Sequence, residues 1–283
     1  MKYLKLMRIR HYLKNFLIFL PIIFSKRLLE KVILLKVIIG FIAFSLTTSV
    51  IYIMNDLKDI EKDKKHPIKK ERPLASGKVS KKEAIILCMI LSCAIIVGLY
   101  LTNMLFNGGT ILLAVYIFIN ILYSFGFKNI PLLDITIISS GFVLRVLYGG
   151  LITSIPVSSW LFLTTLSIAF YMALGKRKNE LVKLDNNSTR QVLKYYTKEF
   201  LEKNMYMFLT LSIVFYSLWS TLGVVNESFR YSIVLVLIIL MKYNMNIENG
   251  GYGDPIDVIL NDKILIIIGI MYGLACFAIL YVL

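Results

Sequence analysis

Long apolar stretches dominate this chain, and they constrain its fold more than any other feature. Each is about long enough to cross a hydrocarbon core, at roughly 20 residues per span. Nine such segments cover approximately residues 11–25, 29–54, 82–102, 109–126, 131–152, 157–175, 200–223, 228–244 and 263–282. The pattern therefore predicts an all-α fold, a polytopic membrane bundle of about nine transmembrane helices.

The first apolar segment is the weakest of the nine. It contains Lys14 and Asn15 and has Pro21 near its end, so we expect a short, tilted or partly interfacial helix. The segment lacks a small-residue cleavage site, which argues against a removed signal peptide. No soluble domain or low-complexity tract interrupts the chain, so residues 1–283 are expected to form a single transmembrane catalytic domain.

Composition supports a membrane protein and describes its charge. Hydrophobic residues make up 58% of the 283 residues, and the mean hydropathy is +0.74, far beyond an ordinary soluble domain. The net charge of +15 comes from 32 basic and 17 acidic residues. Such an excess usually marks cytoplasmic loops that contact anionic headgroups, and it does not imply nucleic acid. It also suits a polyanionic substrate.

The distribution of basic residues predicts the topology. Loops 58–82 and 175–203 are rich in Lys and Arg, whereas the loops near 103–109 and 153–159 carry no charge. The positive-inside rule therefore places the first two loops and the N-terminus in the cytoplasm. The expected location is the cytoplasmic membrane, with the polar clusters on its inner face. Lys26, Arg27 and Lys31 are the exception, because this topology places them outside.

The most informative polar stretch runs from Asn55 to Asp63, directly after the second apolar segment. If the helix continues, spacings of three and four residues place Asn55, Asp56, Asp59 and Asp63 on one face. Oxygen ligands on one face suit Mg²⁺, which leaves room for substrate phosphates. The alternative is a solvated helix end whose acids pair with neighbouring lysines, but carboxylates at a membrane boundary favour metal binding.

Arg72 begins a loop that reads Arg-Pro-Leu-Ala-Ser-Gly and ends at Gly77. Proline restricts its neighbours and glycine permits an unusual backbone angle, so this is a shaped loop in which Arg72 is a candidate phosphate ligand. Lys128 follows Tyr123 closely and suits either a phosphate or the cap of a helix end. Arg145 lies deep inside the fifth segment, where a charge needs a polar cavity or a partner.

Three further clusters complete the candidates. Lys176, Arg177 and Glu180 follow the sixth segment and suit a second anionic group, a helical ion pair or lipid headgroups. Lys14, with Asn15 beside it, is a candidate for a substrate phosphate, whereas Arg8 and Arg10 fit lipid headgroups. Asp254 precedes a proline as helix N-caps do, and Asp257 falls in the first turn. The glycines before Asp254 would also allow this cluster to close a polar pocket.

These motifs together resemble the UbiA-type intramembrane prenyltransferase superfamily, in which the first acidic motif holds Mg²⁺ against a diphosphate. The stretch from Asn55 reads Asn-Asp-x-x-Asp-x-x-x-Asp, and the Arg72 loop and the Tyr123–Lys128 segment follow in order. The second aspartate pair of that superfamily is absent after the sixth span, and Lys176-Arg177-x-x-Glu180 stands in its place.

That departure is typical of a narrower branch, which moves 5-phosphoribose from phosphoribosyl diphosphate (PRPP) to a polyprenyl phosphate of the decaprenyl type. The match is carried by Lys14-Asn15, the segment 141–145, Lys176-Arg177-x-x-Glu180 and Asp254-Pro255-x-Asp257. The resemblance implies Mg²⁺, PRPP, a polyprenyl phosphate, the lipid bilayer and cell-wall biosynthesis, and it allows a homo-oligomer. It also implies catalytic and substrate-binding residues, namely Asp56, Asp59, Asp63, Lys14 and Arg72, with Asn15, Tyr123, Lys128, Arg145, Lys176, Arg177, Glu180, Asp254 and Asp257.

Two alternatives stay open at this point. One is a prenyltransferase of the broader superfamily that moves a prenyl group to an aromatic acceptor. The other is a non-enzymatic transporter or lipid-binding membrane protein. Transporters often have repeated halves and functional charges near the midplane, whereas here the acidic motif is not duplicated and only Arg145 is clearly deep.

Overall fold

The computed structural model describes residues 1–66, 69–183, 191–223, 227–249 and 254–283. Within those ranges every regular element is a helix, which confirms the all-α prediction. The chain forms two compact units. The N-terminal unit comprises Met1–Ile23, Arg27–Phe125 and Leu147–Ile155, and the C-terminal unit comprises Phe24–Lys26, Gly126–Val146 and Pro156–Leu283. The expectation of a single domain stays a prediction.

The chain up to residue 124 begins with a short amphipathic region and continues with long apolar helices. The elements in order are α1 (Lys2–Met7), a 3-10 helix (Ile9–Phe19), α2 (Leu20–Phe24), α3 (Lys31–Lys58), α4 (Ile60–Lys65), a 3-10 turn (Lys69–Glu71), α5 (Lys81–Leu101) and α6 (Gly108–Ser124).

The remainder of the chain is also helical where it is described. Its elements are a 3-10 turn (Phe127–Asn129), α7 (Leu133–Thr153), α8 (Ser159–Lys183), a 3-10 turn (Gln191–Tyr195), α9 (Lys198–Leu222), a 3-10 turn (Glu227–Tyr231), α10 (Ser232–Glu248), α11 (Pro255–Leu260), α12 (Lys263–Phe277) and a π-helical end (Ala278–Val282).

Six helical segments of the described chain are long and apolar enough to cross a membrane, so the protein is a multi-pass membrane protein. They are Lys31–Lys58, Lys81–Leu101, Leu133–Thr153, Lys198–Leu222, Glu227–Glu248 and Lys263–Val282, and Gly108–Ser124 is a shorter apolar helix. All nine predicted segments contain helix, but the count of nine membrane crossings stays a prediction. The first segment is a 3-10 helix followed by the five residues of α2, consistent with the short helix expected there.

The N-terminal unit is organised around α3, which packs against α1, the first 3-10 helix, α5 and α6. Small residues make close helix approach possible in membranes, and the buried part of α3 is rich in Ser and Thr. Close packing also requires a glycine at position 149, because a Cβ there would collide with the backbone of Ile18. At the cytoplasmic end predicted for α3, a cluster of buried side chains joins α1, α3, α4 and α5, namely Leu6, Ile53, Ile60, Leu74, Val79, Ala84 and Leu91.

The C-terminal unit is built on α8 and α9, which pack along each other, and on α10, which contacts α9, α11 and α12. Thr197 caps α9 and Asp262 caps α12 through their side-chain oxygens. One buried cluster draws on α7–α12 and the 191–195 turn, and includes Tyr171, Leu193, Leu201, Met205, Tyr243 and Ile247. This core fixes the start of α7 and the part of α8 that leads into its basic residues.

Candidate active site

The acidic motif lies at the junction of α3 and α4. Helix α3 runs through Asn55 and Asp56 to Lys58, and Asp59 then interrupts the helical geometry at φ −98° and ψ 13°. The backbone nevertheless keeps helix-like spacing, because the Asp59 N–H donates to the Asn55 carbonyl at 3.0 Å and the Asp63 N–H to the Asp59 carbonyl at 2.8 Å. Asp56 and Asp63 are therefore two turns apart on nearly the same face, and both are buried.

Arg72 brings these two carboxylates together. Its Nη1 donates to Asp56 Oδ1 at 3.0 Å and to Asp63 Oδ2 at 2.7 Å. The loop that follows has the predicted shape: Gly77 has φ 73°, and the Val79 N–H donates to the Pro73 carbonyl at 3.0 Å. One positively charged nitrogen thus occupies a point that both carboxylates can reach.

Arg8 is a third member of this cluster, and it was missed as a site residue at the sequence level. Its Nη2 donates to the same Asp56 Oδ1 that accepts from Arg72. Its guanidinium lies over the ring of Tyr52, 4.7 Å from the ring centroid. Sequence offered no signal for this role, since Arg8 precedes the first apolar segment as an ordinary lipid-anchoring cation does.

The structure does not gather the four predicted metal ligands at one point. Asn55 Oδ1 accepts a short hydrogen bond from Ser124 Oγ, and Asp59 is half-buried between the helices. Among the residues the structure describes, no group of three His, Cys, Asp or Glu side chains is placed to hold a metal ion.

The donor set still fits a magnesium ion that shares its coordination with substrate. Mg²⁺ in phosphate-transfer sites is usually bound by one or two carboxylates together with phosphate oxygens. Asp56 and Asp63 supply two carboxylates, and the Arg72 nitrogen between them shows that a single cation can bridge both. Asn55 and Asp59 remain predicted ligands.

His66 follows the last residue of α4, beside this cluster. Burial lowers the pKa of its imidazole, and the nearby Lys69 lowers it further. Its Nδ1 accepts from the Lys69 N–H at 3.3 Å, a bond that requires an unprotonated Nδ1.

A cavity of about 380 Å³ opens from Asn55 along α3, α5 and α6. Its lining is mostly aliphatic. Four of its polar residues, Asn55, Lys58, Asn120 and Ser124, come from the C-terminal parts of α3 and α6, and Thr47 and Ser92 also line it. Lys58 Nζ donates to the Ser124 carbonyl at 2.9 Å and lies 3.7 Å from the centroid of the Phe125 ring. The cavity therefore combines a long apolar wall with one cationic, hydrogen-bonding end.

Three other predicted residues of the N-terminal unit differ in their burial. Asn15 is fully buried and donates from Nδ2 to Ser45 Oγ at 2.9 Å, which ties the first 3-10 helix to α3. Lys14 and Tyr123 are half-buried. Asn15 is thus part of the packing in this structure, while substrate contact by Lys14 and Tyr123 stays a prediction.

In the C-terminal unit, Arg177 lies at the centre of a buried ion network. Both it and Asp134 have no exposed surface, and Arg177 Nε donates to Asp134 Oδ2 at 2.5 Å. Arg177 Nη1 donates to Glu180 at 2.6 Å, and Tyr196 OH donates to Asp134 Oδ1 at 2.6 Å. Burial, and to a lesser extent the hydrogen bond to Asp134, raises the pKa of the Tyr196 hydroxyl, so this hydroxyl stays protonated.

Helix α8 extends to Lys183 and does not end before the basic run, in contrast to the predicted end near residue 175. The reason is that long-range partners neutralise its charges. Lys178 is buried and donates to Glu202 and Glu248, at 2.9 and 2.5 Å. A prediction from local hydropathy treated these charges as a helix end because their partners are distant in sequence.

Lys176 is the more accessible cation of this run. Its Nζ lies 3.5 Å from Asp254 Oδ2, so its pairing differs from the predicted i,i+4 pair with Glu180. Asp254 also caps α11, with Pro255 at the first helical position as expected, and Asp257 lies in the first turn. The glycine run at 250–253 lies outside the described residues.

The remaining predicted cations of this unit occupy contrasting positions. Lys128 is half-buried in the 3-10 turn that follows Gly126, whose φ is 140°. Arg145 is buried inside α7, donates to the Gly141 carbonyl of the preceding turn and lies near the face of Phe142. The depth expected for Arg145 is therefore observed, and phosphate binding by both residues stays a prediction.

An all-helical fold with apolar spans and a buried carboxylate pair at the end of one span defines a polytopic membrane protein with a polar site at that helix end. More specifically, the chain belongs to the UbiA prenyltransferase family, because the profile of that family matches residues 20–251. It is 34% identical to decaprenyl-phosphate phosphoribosyltransferase of Mycolicibacterium smegmatis, over 81% of this chain and 76% of the relative. A Corynebacterium glutamicum protein with the same name is 31% identical, over 84% and 74%.

Solved structures support the same fold. A UbiA homologue from Archaeoglobus fulgidus bound to GPP and Mg²⁺ superimposes with a TM-score of 0.70, covering 99% of both chains at 18% identity. At that identity the likeness establishes the fold alone, and the UbiA architecture predicted from the sequence is confirmed.

Proposed function

We propose that this protein transfers 5-phosphoribose from PRPP to a polyprenyl phosphate and releases diphosphate. The observation that carries the proposal is the Asp56–Asp63 pair bridged by a guanidinium nitrogen, a site that suits a magnesium-bound diphosphate. The names of the relatives support a phosphoribosyl group as the group transferred and a polyprenyl phosphate as the acceptor. The cations predicted along the chain also suit PRPP, which has a diphosphate and a separate 5-phosphate.

The proposed reaction is a substitution at C1 of the ribose. An oxygen of the lipid phosphate forms the new bond to C1 from the face opposite the diphosphate, and the C1–O bond to diphosphate breaks with its electron pair. The lipid phosphate is already an anion, so no strong general base is needed. When bound, Mg²⁺ supplies Lewis-acid stabilisation of the leaving group, with Asp56 and Asp63 as ligands and with Asn55 and Asp59 as the further predicted ones.

The chain's own residues would orient and neutralise the substrates. Arg72 already lies at the carboxylate pair and would bind diphosphate oxygens, because its planar fork matches them. Lys128 would also bind the diphosphate, and Lys14 or Arg145 would hold the lipid phosphate. Lys176 would bind the 5-phosphate, and Arg177, the other predicted ligand, would have to leave its buried bond to Asp134 to join it. We assign the N-terminus to the cytoplasm from the excess of basic residues after α3.

The decisive experiment supplies purified protein, Mg²⁺, a polyprenyl phosphate and PRPP labelled in the ribose. Labelled lipid, formed with equimolar diphosphate, supports the proposal. The alternative, which the family's description as prenyltransferases favours, is transfer of a prenyl group from a prenyl diphosphate to an aromatic acceptor. Transfer of that kind without transfer from PRPP would reject the proposed donor.

The aliphatic cavity along α3, α5 and α6 is proposed to hold part of the acceptor's polyprenyl tail. Ser92 lines it, and Ser92→Trp fills part of the space. Losing burial of about two methylenes costs roughly 1.6 kcal/mol, so we expect KM for a long polyprenyl phosphate to rise about tenfold. The measurement is a KM comparison between a long-chain acceptor and a short-chain acceptor, and the short one is expected to be little affected.

Cys93→Trp is the matched control. Cys93 adjoins Ser92 but is exposed and does not line the cavity. The Cys93→Trp variant therefore adds the same ring to the same helix, outside the proposed tail site. Equal changes in the two variants, or a loss with Ser92→Trp that does not depend on acceptor length, would contradict this location for the tail.

A further inference from the structure

Arg8 adopts a backbone conformation that its residue type disfavours. It lies between α1 and the first 3-10 helix, with φ 53° and ψ 48° in the left-handed region. Non-glycine residues are uncommon there, and such outliers concentrate at functional sites. Arginine is therefore present at position 8 although glycine or asparagine would adopt this backbone conformation more easily.

The Arg8 guanidinium occupies one position of the acidic cluster. It shares Asp56 Oδ1 with Arg72, so one carboxylate oxygen accepts from two cations. The Arg8 side chain remains 22% exposed and rests on Tyr52. A metal ion that binds Asp56 through Oδ1 would compete with this guanidinium for that oxygen.

The segment that carries Arg8 is anchored to the same unit. Leu6 is fully buried in the cluster with Ile53, and Ser49 Oγ donates to the Met7 carbonyl at 2.8 Å. Lys2 and Tyr3 both donate to Glu83 at 2.8 Å. If Asp56 releases the guanidinium, Arg8 stays within one side-chain length of the site.

We propose that Arg8 is a second diphosphate-binding guanidinium, which neutralises Asp56 in the metal-free protein and turns to the donor's diphosphate once metal takes that carboxylate. The inference rests on the proposed function for the identity of the donor. The exchange of partners is chemically reasonable because a guanidinium fork binds the oxygens of a carboxylate and of a diphosphate with the same geometry. Arg8 thus adds to Arg72 a cation from a different segment of the chain.

The test measures binding to the full-length protein in detergent, using Mn²⁺ alone and then inorganic diphosphate at saturating Mn²⁺. Arg8→Gly and Arg8→Asn both suit the left-handed backbone and therefore preserve α1. We expect both variants to bind Mn²⁺ alone about tenfold more tightly, and diphosphate about tenfold more weakly. Arg10→Ala is the matched control. It removes the same charge from an exposed position two residues away and should change either affinity by less than about twofold.

Opposite signs for the two affinities distinguish this role from a structural one. Unchanged affinities, weaker binding of both probes, or a change in Mn²⁺ affinity alone would each overturn the proposal. Both probes are measured without turnover. Failure of PRPP transfer by the unaltered protein would therefore refute the proposed function while leaving the Arg8 result intact.

Discussion

Replacing Asp56 with Asn is expected to abolish transfer while the protein still folds and inserts. Asparagine keeps the shape and one acceptor oxygen for Arg8 and Arg72, but it removes the negative charge that would hold a magnesium ion. Loss of one electrostatic element of this kind typically lowers kcat roughly 10²- to 10³-fold. Labelled-lipid formation from PRPP measures the effect, and size-exclusion profiles in detergent establish that folding is retained.

Glu61→Gln is the control from the same stretch. Glu61 is exposed and accepts from Lys64 Nζ at 2.9 Å, so its loss should leave turnover nearly unchanged. Asp59→Asn is expected to behave like Asp56→Asn, as the spacing of the motif predicts. Near-normal activity in both aspartate variants would refute the metal-site assignment.

Most of the fold was predictable because lipid imposes a simple rule on apolar length. The second segment was predicted to end at residue 54 and continues to Lys58, which puts Asn55 and Asp56 on the helix as the spacing argument required. The sixth was predicted to end at 175 and continues to Lys183, because its charges find buried partners. The 3-10 conformation of residues 9–19 had no sequence signal.

Parts of the candidate site formed by residues close in sequence were predictable, whereas contacts between distant residues were not. The loop from Arg72 to Gly77 follows α4 closely, and its Pro-to-Gly shape was expected. Arg8 and Asp56 are 48 residues apart, and nothing in their local sequence pairs them. The same holds for Arg177 and Asp134, 43 residues apart, where sequence favoured phosphate binding and the structure shows a saturated buried pair.

Arg177→Met is expected to destabilise the protein by about 3–5 kcal/mol, because removing one partner of a buried ion pair leaves the other uncompensated. Within the described part of the chain, Asp134 would keep the bond from the Tyr196 hydroxyl, with no exposed surface through which water could replace the guanidinium. The measurement is equilibrium unfolding in detergent. Arg230→Met, which removes an exposed pair with Glu227, is the control and should change stability by less than about 0.5 kcal/mol.

A double variant separates a structural role for Arg177 from a role in binding substrate. Arg177→Met combined with Asp134→Leu replaces the buried pair by apolar side chains, which is often neutral or stabilising. We therefore expect the double variant to regain most of the stability that Arg177→Met loses, as a coupling energy in a double-mutant cycle. If Arg177→Met instead unfolds like the unaltered protein but loses PRPP binding, Arg177 contacts the 5-phosphate and the buried network is secondary. Recovery of both stability and PRPP binding in the double variant would leave Lys176 as the phosphate ligand of this helix, because it is the half-exposed cation of the run.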